Sequence, residues 1–73
     1  MNRLVEYHIK RLQDKSAAVR LKSIEELRLL CDPAALPALK TVYETDTEPE
    51  VRKAAQNAGR EIFIKTQKKG GDS

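Results

Sequence analysis

A chain of 73 residues has room for one domain, and a domain that small buries only about 60% of the surface its unfolded chain exposes, so apolar packing must run through every element. Its 14 Lys and Arg stand against 11 Asp and Glu with both signs interspersed; this mild +3 lacks the clustered stripe of a nucleic-acid binder, and Tyr7, Tyr43 and Phe63 offer no stacking series. The lone Cys31 forms no intramolecular disulfide, no Cys/His set has metal-ligand spacing, and Arg3 and Glu6 interrupt the opening before any apolar run, so the expectation is a reducing, cytoplasmic setting with neither signal peptide nor membrane span.

Leu4, Val5, His8, Ile9 and Leu12 form one stripe of a 3.6-residue period and predict an outer helix over residues 2–13. Asp14, Lys15 and Ser16 break it, with Ser16 placed to cap a second, inner helix over 17–31. There Val19, Ser23, Ile24, Leu27, Leu30 and Cys31 cover about half the circumference, which predicts packing on two sides. Asp32-Pro33 opens the third helix. Pro37 would clash inside a helix already regular at Pro33, so regular helix is expected from near Ala34 or Ala35 to 45, with Leu36, Leu39, Val42 and Tyr43 turned inward. Pro49 is placed in the first turn of a fourth helix, 49–65, whose Val51, Ala54, Ala55, Ala58 and Ile62 face the core with Gly59 and Phe63 alongside. Gly59 costs that helix about 1 kcal/mol relative to Ala unless a close helix approach uses it. Residues 66–73 hold nothing apolar to bury and are expected to be a disordered tail.

One phrase occurs twice: Asp14-Lys-Ser-Ala-Ala-Val19-Arg20 and Asp46-Thr-Glu-Pro-Glu-Val51-Arg52 lie 32 residues apart, each between two helical patterns. The repeating unit is therefore a helical hairpin. The expected fold is all-α, four helices in two stacked hairpins, with repeat one at 1–31 and repeat two at 32–65 of a single 1–65 domain.

Asp-x4-Val-Arg followed by small residues, together with Asp32-Pro-Ala-Ala-Leu-Pro-Ala-Leu39, resembles HEAT repeats, most nearly the short HEAT-like repeat of phycobilisome-lyase proteins, over residues 1–65. The second unit carries the likeness well. The first lacks the Asp-Pro opening, and Leu12 precedes Val19 by seven residues where Tyr43 precedes Val51 by eight. The resemblance implies a short α-solenoid that recognises other proteins. It does not imply lyase activity, because two repeats alone would not enclose a tetrapyrrole.

Arg20 shares its stripe with Ile24, Leu27 and Cys31, and a guanidinium there needs an acceptor. Arg20 and Arg52 are expected to meet Asp14 or Asp46 across the stacked turns, a ladder typical of the family resembled. His8 and Cys31 are the only candidates for nucleophilic or acid–base work, and Cys31 sits near a helix C-terminus that disfavours a thiolate. The carboxylates at Glu25, Glu26, Glu44, Asp46, Glu48 and Glu50 have no partner element that forces two into one pocket. No catalytic, cofactor or metal site is expected. The expected role is a non-catalytic interaction module, a small adaptor or assembly factor that docks on a protein partner or larger assembly through Lys22, Glu25, Glu26, Leu29, Gln56, Asn57, Arg60 and Glu61 on the inner helices. Ile62-Phe63-Ile64 closes the last helix with apolar residues where an unstacked solenoid end wants polar ones, so Phe63 and Ile64 join the candidate contacts, and a second copy of the chain is one occupant of that end. Two other roles stand behind this one. Nucleic-acid binding would draw on Lys10, Arg11 and Lys15 with Lys65, Lys68 and Lys69, and an accessory role in phycobilisome pigment attachment or turnover rests on the family likeness.

Overall fold

The computed structural model describes residues 2–71, with side chains as far as Gln67. Four α-helices follow one another: α1 (Arg3–Arg11), α2 (Ala17–Leu30), α3 (Leu36–Thr45) and α4 (Pro49–Gly71), and no strand occurs among the described residues. α1 packs on α2, α2 on α4 and α4 on α3. The chain is thus two antiparallel hairpins stacked through the inner helices.

Short polar residues set the boundaries. Asn2 Oδ1 accepts the Leu4 N–H at 2.8 Å, and Asp32 Oδ1 accepts the Ala34 N–H at 2.9 Å. Ser16 Oγ accepts the Val19 N–H at a long 3.4 Å, so that cap is the weakest of the three. α2 ends at Cys31, whose N–H still makes the helical bond to the Leu27 carbonyl at 3.0 Å and whose own backbone is left-handed (φ 51, ψ 43). A side chain seldom adopts that conformation. It reverses the chain within one residue, before the Asp32 cap.

Pro37 is accommodated differently from the sequence expectation. Pro33–Ala35 form a separate 3₁₀ turn, and the α-helix begins at Leu36, so Pro37 falls in a first turn where its missing N–H has no carbonyl to lose. At the other end, the tail expected from 66 is helical as far as Gly71, while Asp72 and Ser73 lie outside the described residues. Each added helical residue contributes a backbone bond once the helix is nucleated, and Thr66 Oγ1 donates to the Ile62 carbonyl at 2.8 Å. No side chain from 63 to 67 is buried, so these turns add nothing to the core.

The core comprises Val5 and Leu12 of repeat one's first helix region, Ile24 and Leu27 of α2, Ala35, Leu39 and Val42 around α3, and Val51, Ala55, Ala58 and Ile62 of α4. Leu4 and Tyr43, expected on inward stripes, are instead 52% and 43% exposed. Each lies at the edge of its stripe, where a single neighbouring helix cannot cover it.

Candidate functional site

Both copies of the repeated phrase build the same turn. Asp14 Oδ1 accepts the Ser16 N–H at 2.9 Å, and Asp46 Oδ1 accepts the Glu48 N–H at 2.9 Å. In each copy the arginine then folds back on the turn: Arg20 Nη1 donates to the Asp14 carbonyl at 2.8 Å, and Arg52 Nη1 to the Asp46 carbonyl at 2.7 Å. The copies differ in what else the guanidinium meets. Arg20 crosses between hairpins and donates from Nε and Nη2 to the two carboxylate oxygens of Asp46 at 2.8 and 3.1 Å. Arg52 has no carboxylate at ion-pair distance, and Asp14 no arginine, among the described residues.

The Arg20–Asp46 pair is nearly dry, its side chains 13% and 7% exposed. Burial by itself pushes the Asp46 carboxyl upward, but the Glu48 N–H, the Arg20 guanidinium and the Arg52 charge outweigh it and hold the group below its ordinary value. A carboxyl held lower in the folded state than in the unfolded chain stabilises the fold at every pH above its unfolded value, about 3.9, and loses that contribution as pH falls through the folded value. Unfolding followed by circular dichroism should therefore show stability roughly level from neutrality to about pH 5 and falling below about pH 4, with the fall blunted in Asp46→Asn.

A second, more exposed crossing joins the inner helices. Arg28 donates to Glu25 within α2 and to Glu61 of α4 at 3.2 Å, and Lys65 closes the run on Glu61 at 2.9 Å. Hydrogen bonding from Arg28 holds Glu25 low, and bonding from Lys65 first and Arg28 second does the same for Glu61. Two of the expected contact residues, Glu25 and Glu61, are therefore engaged within the chain. Arg28 was not among the expected site residues and Lys65 was expected only as a nucleic-acid contact, although the Glu25/Arg28 and Glu61/Lys65 spacings on a helix signal such pairs. Lys22 and Leu29 are exposed on α2 and Glu26 is half-buried. Asn57, Arg60 and Ile64 line a shallow depression with Glu61 and Lys65.

On the side of repeat two remote from repeat one lies an apolar groove of about 270 Å³ between α3 and α4, lined by Leu36, Leu39, Lys40, Tyr43, Ala55, Gln56, Gly59, Arg60 and Phe63. Phe63 is 54% exposed at its rim. Arg52, Gln56, Gly59 and Phe63 form one helical stripe, and their counterparts 32 residues earlier are Arg20, Ile24, Leu27 and Cys31. Repeat two covers that earlier stripe, leaving Ile24 and Leu27 at 2% and 0% exposure. The groove is the same face with none of the described residues covering it.

Gly59 is not demanded by the fold. A Cβ there would meet only the Leu39 Cβ, at an ordinary 3.9 Å. Gly59→Ala should therefore raise stability by about 0.5–1 kcal/mol in a urea titration, at the expense of a shallower groove.

His8 Nδ1 is buried with no hydrogen-bond partner among the described residues, its ring edge-on to Tyr7 at 5.0 Å. Cys31 is half-buried against the core. Among the described residues no cluster of His, Cys, Asp and Glu could hold a metal ion, and no helix is long and apolar enough to cross a membrane. The side chains of Lys68 and Lys69 lie outside the described residues. Residues 2–59 match the family model described as HEAT repeats. No curated protein and no solved structure matches the chain.

Proposed function

The chain belongs to the HEAT-repeat family, and from that membership and its uncovered groove we propose that it is a non-catalytic protein–protein interaction module, a small adaptor or assembly factor that docks through helix faces. One observation carries this reading. The face that buries Ile24 and Leu27 in repeat one recurs in repeat two as an open apolar groove, with a glycine that the fold does not need and an exposed aromatic rim. Apolar surface of this shape, flanked by Lys40 and Arg60, suits a partner that offers apolar side chains flanked by carboxylates. The folded unit we assign to 1–65, and its setting to the cytoplasm.

Charges elsewhere favour this reading over nucleic-acid binding, since the inner helices carry an alternating run, Glu25, Arg28, Glu61 and Lys65, and not a basic stripe. The phycobilisome-lyase subtype, with an accessory role in pigment attachment or turnover, is a secondary reading that rests on the sequence likeness alone.

A photo-crosslinking side chain at Gln56, in the groove, should trap a discrete protein adduct in native extract, and Phe63→Glu should abolish it. The same probe at Thr45, where α3 faces α1 at the junction of the two repeats and away from both ends, should trap nothing discrete. Equal adducts from both positions, or none from Gln56, would remove the reading.

A further inference from the structure

We propose that the groove face of one chain docks on the N-terminal face of a second copy, head to tail, continuing between molecules the stack that joins the two repeats within one. The inference rests on the interaction-module reading and names its partner. The template is internal. Within the chain, Arg20 reaches forward across the hairpin junction to Asp46, and the next step of the same ladder would carry Arg52 to an aspartate 32 residues beyond Asp46. None of the described residues stands there. Two groups left without an ion-pair partner among the described residues are complementary: Arg52 has its Nε and Nη2 unbonded, and Asp14, already fixed by the Ser16 N–H, has a carboxylate free of arginine.

Around these groups both end surfaces expose large apolar side chains, and it is in apolar contact that they match. The groove end presents Tyr43 and Phe63, 43% and 54% exposed, beside Lys40 and Arg60. The opposite end presents Leu4, Tyr7 and Leu29, 52%, 52% and 63% exposed, with Arg3, Glu6 and Lys10 around Tyr7 and Arg11 over its ring. These are the apolar residues that a covering hairpin would bury at each end. The second internal crossing, Arg28 to Glu61, is reproduced only in part. Arg60 stands at the Arg28 place, but Leu29 stands at the Glu61 place, with Glu26 one turn earlier on the same helix. One charge pair and an apolar contact therefore carry the junction, and the association is expected to be weak and salt-sensitive. Because the two faces differ, the contact is heterologous and adds further copies until a ring closes or a filament grows.

Sedimentation of the 73-residue chain over rising concentration tests this. Mass should climb past the dimer, and Arg52→Glu, Asp14→Asn and Phe63→Glu should each raise the dissociation constant at least about tenfold. Asp14→Asn keeps the oxygen that accepts the Ser16 N–H, and Phe63 lies outside the core, so circular dichroism should show these two folded as wild type, and Arg52→Glu, which gives up the bond to the Asp46 carbonyl, folded with a lower melting midpoint. The decisive arm mixes Arg52→Glu with Asp14→Asn. One intact Arg52 face and one intact Asp14 face remain, and a 1:1 dimer that cannot extend should form. Wild-type protein that stays monomeric, variants that associate like wild type, or a mixture that stays monomeric would each overturn the proposal. If Phe63→Glu still abolishes the Gln56 adduct under those results, only the second copy is removed. If that adduct is also missing, the interaction-module reading falls with it.

Discussion

Asp46→Ala should cost about 3–5 kcal/mol, a large share of what so short a chain holds. The substitution removes both acceptors of the Arg20 fork and the oxygen that holds the Glu48 N–H at the start of α4. What remains is a guanidinium, 13% exposed, with only the carbonyls of Asp14 and Lys15 to answer its charge. An uncompensated buried charge is costlier than the intact pair is favourable, so the loss exceeds any net contribution of the ion pair itself. A chain of this length holds only about 4–11 kcal/mol in total, and less for so small a core. Asp14→Ala is the matched control. It removes the equivalent turn contact but no arginine partner and should cost only about 1 kcal/mol. Urea titrations of the two variants beside wild type read the difference directly.

Leu27→Ala should destabilise by about 2–5 kcal/mol, whereas Leu29→Ala, two residues along the same helix, should stay within about 0.5 kcal/mol of wild type. Leu27 is fully buried on the one helix that packs against both α1 and α4. Its removal opens a cavity that neither hairpin can collapse into without shifting the other. Leu29 is 63% exposed and has little packing to lose. Thermal melts should separate the two by roughly 6 °C at the least and about 20 °C at mid-range, since about 1 kcal/mol moves the midpoint of a domain this size by roughly 4–8 °C.

Periodicity made the four helices legible because each has one neighbour-facing stripe, and α2, which needs two, shows the wider arc. The duplicated phrase likewise made the stack legible. Asp14 and Asp46 were both open as partners of Arg20, and sequence could not choose, because both sit at the same place in their repeats. The direction of stacking decides it: Arg20 reaches forward to Asp46, not back to a carboxylate of its own turn. The Arg28–Glu61 crossing was invisible for a related reason, since it joins helices whose relative rotation no local pattern encodes. The 3₁₀ turn at Pro33–Ala35 and the left-handed Cys31 are both consequences of fitting a chain reversal into very few residues. Cys31 carries no propensity that announces such a backbone. The groove was only half legible. Phe63 and Gln56 were expected at the surface, but Leu36 and Tyr43 were expected inside, and only the absence of a third hairpin among the described residues leaves them open.

Hydrogen exchange under native conditions bears most directly on the claim that neither hairpin stands without the other. The amides of Leu27 in α2, Leu39 in α3 and Ile62 in α4 should exchange through one common opening with a single free energy, equal to that of global unfolding. A repeat-two hairpin that keeps Leu39 and Ile62 protected while Leu27 exchanges freely would contradict it.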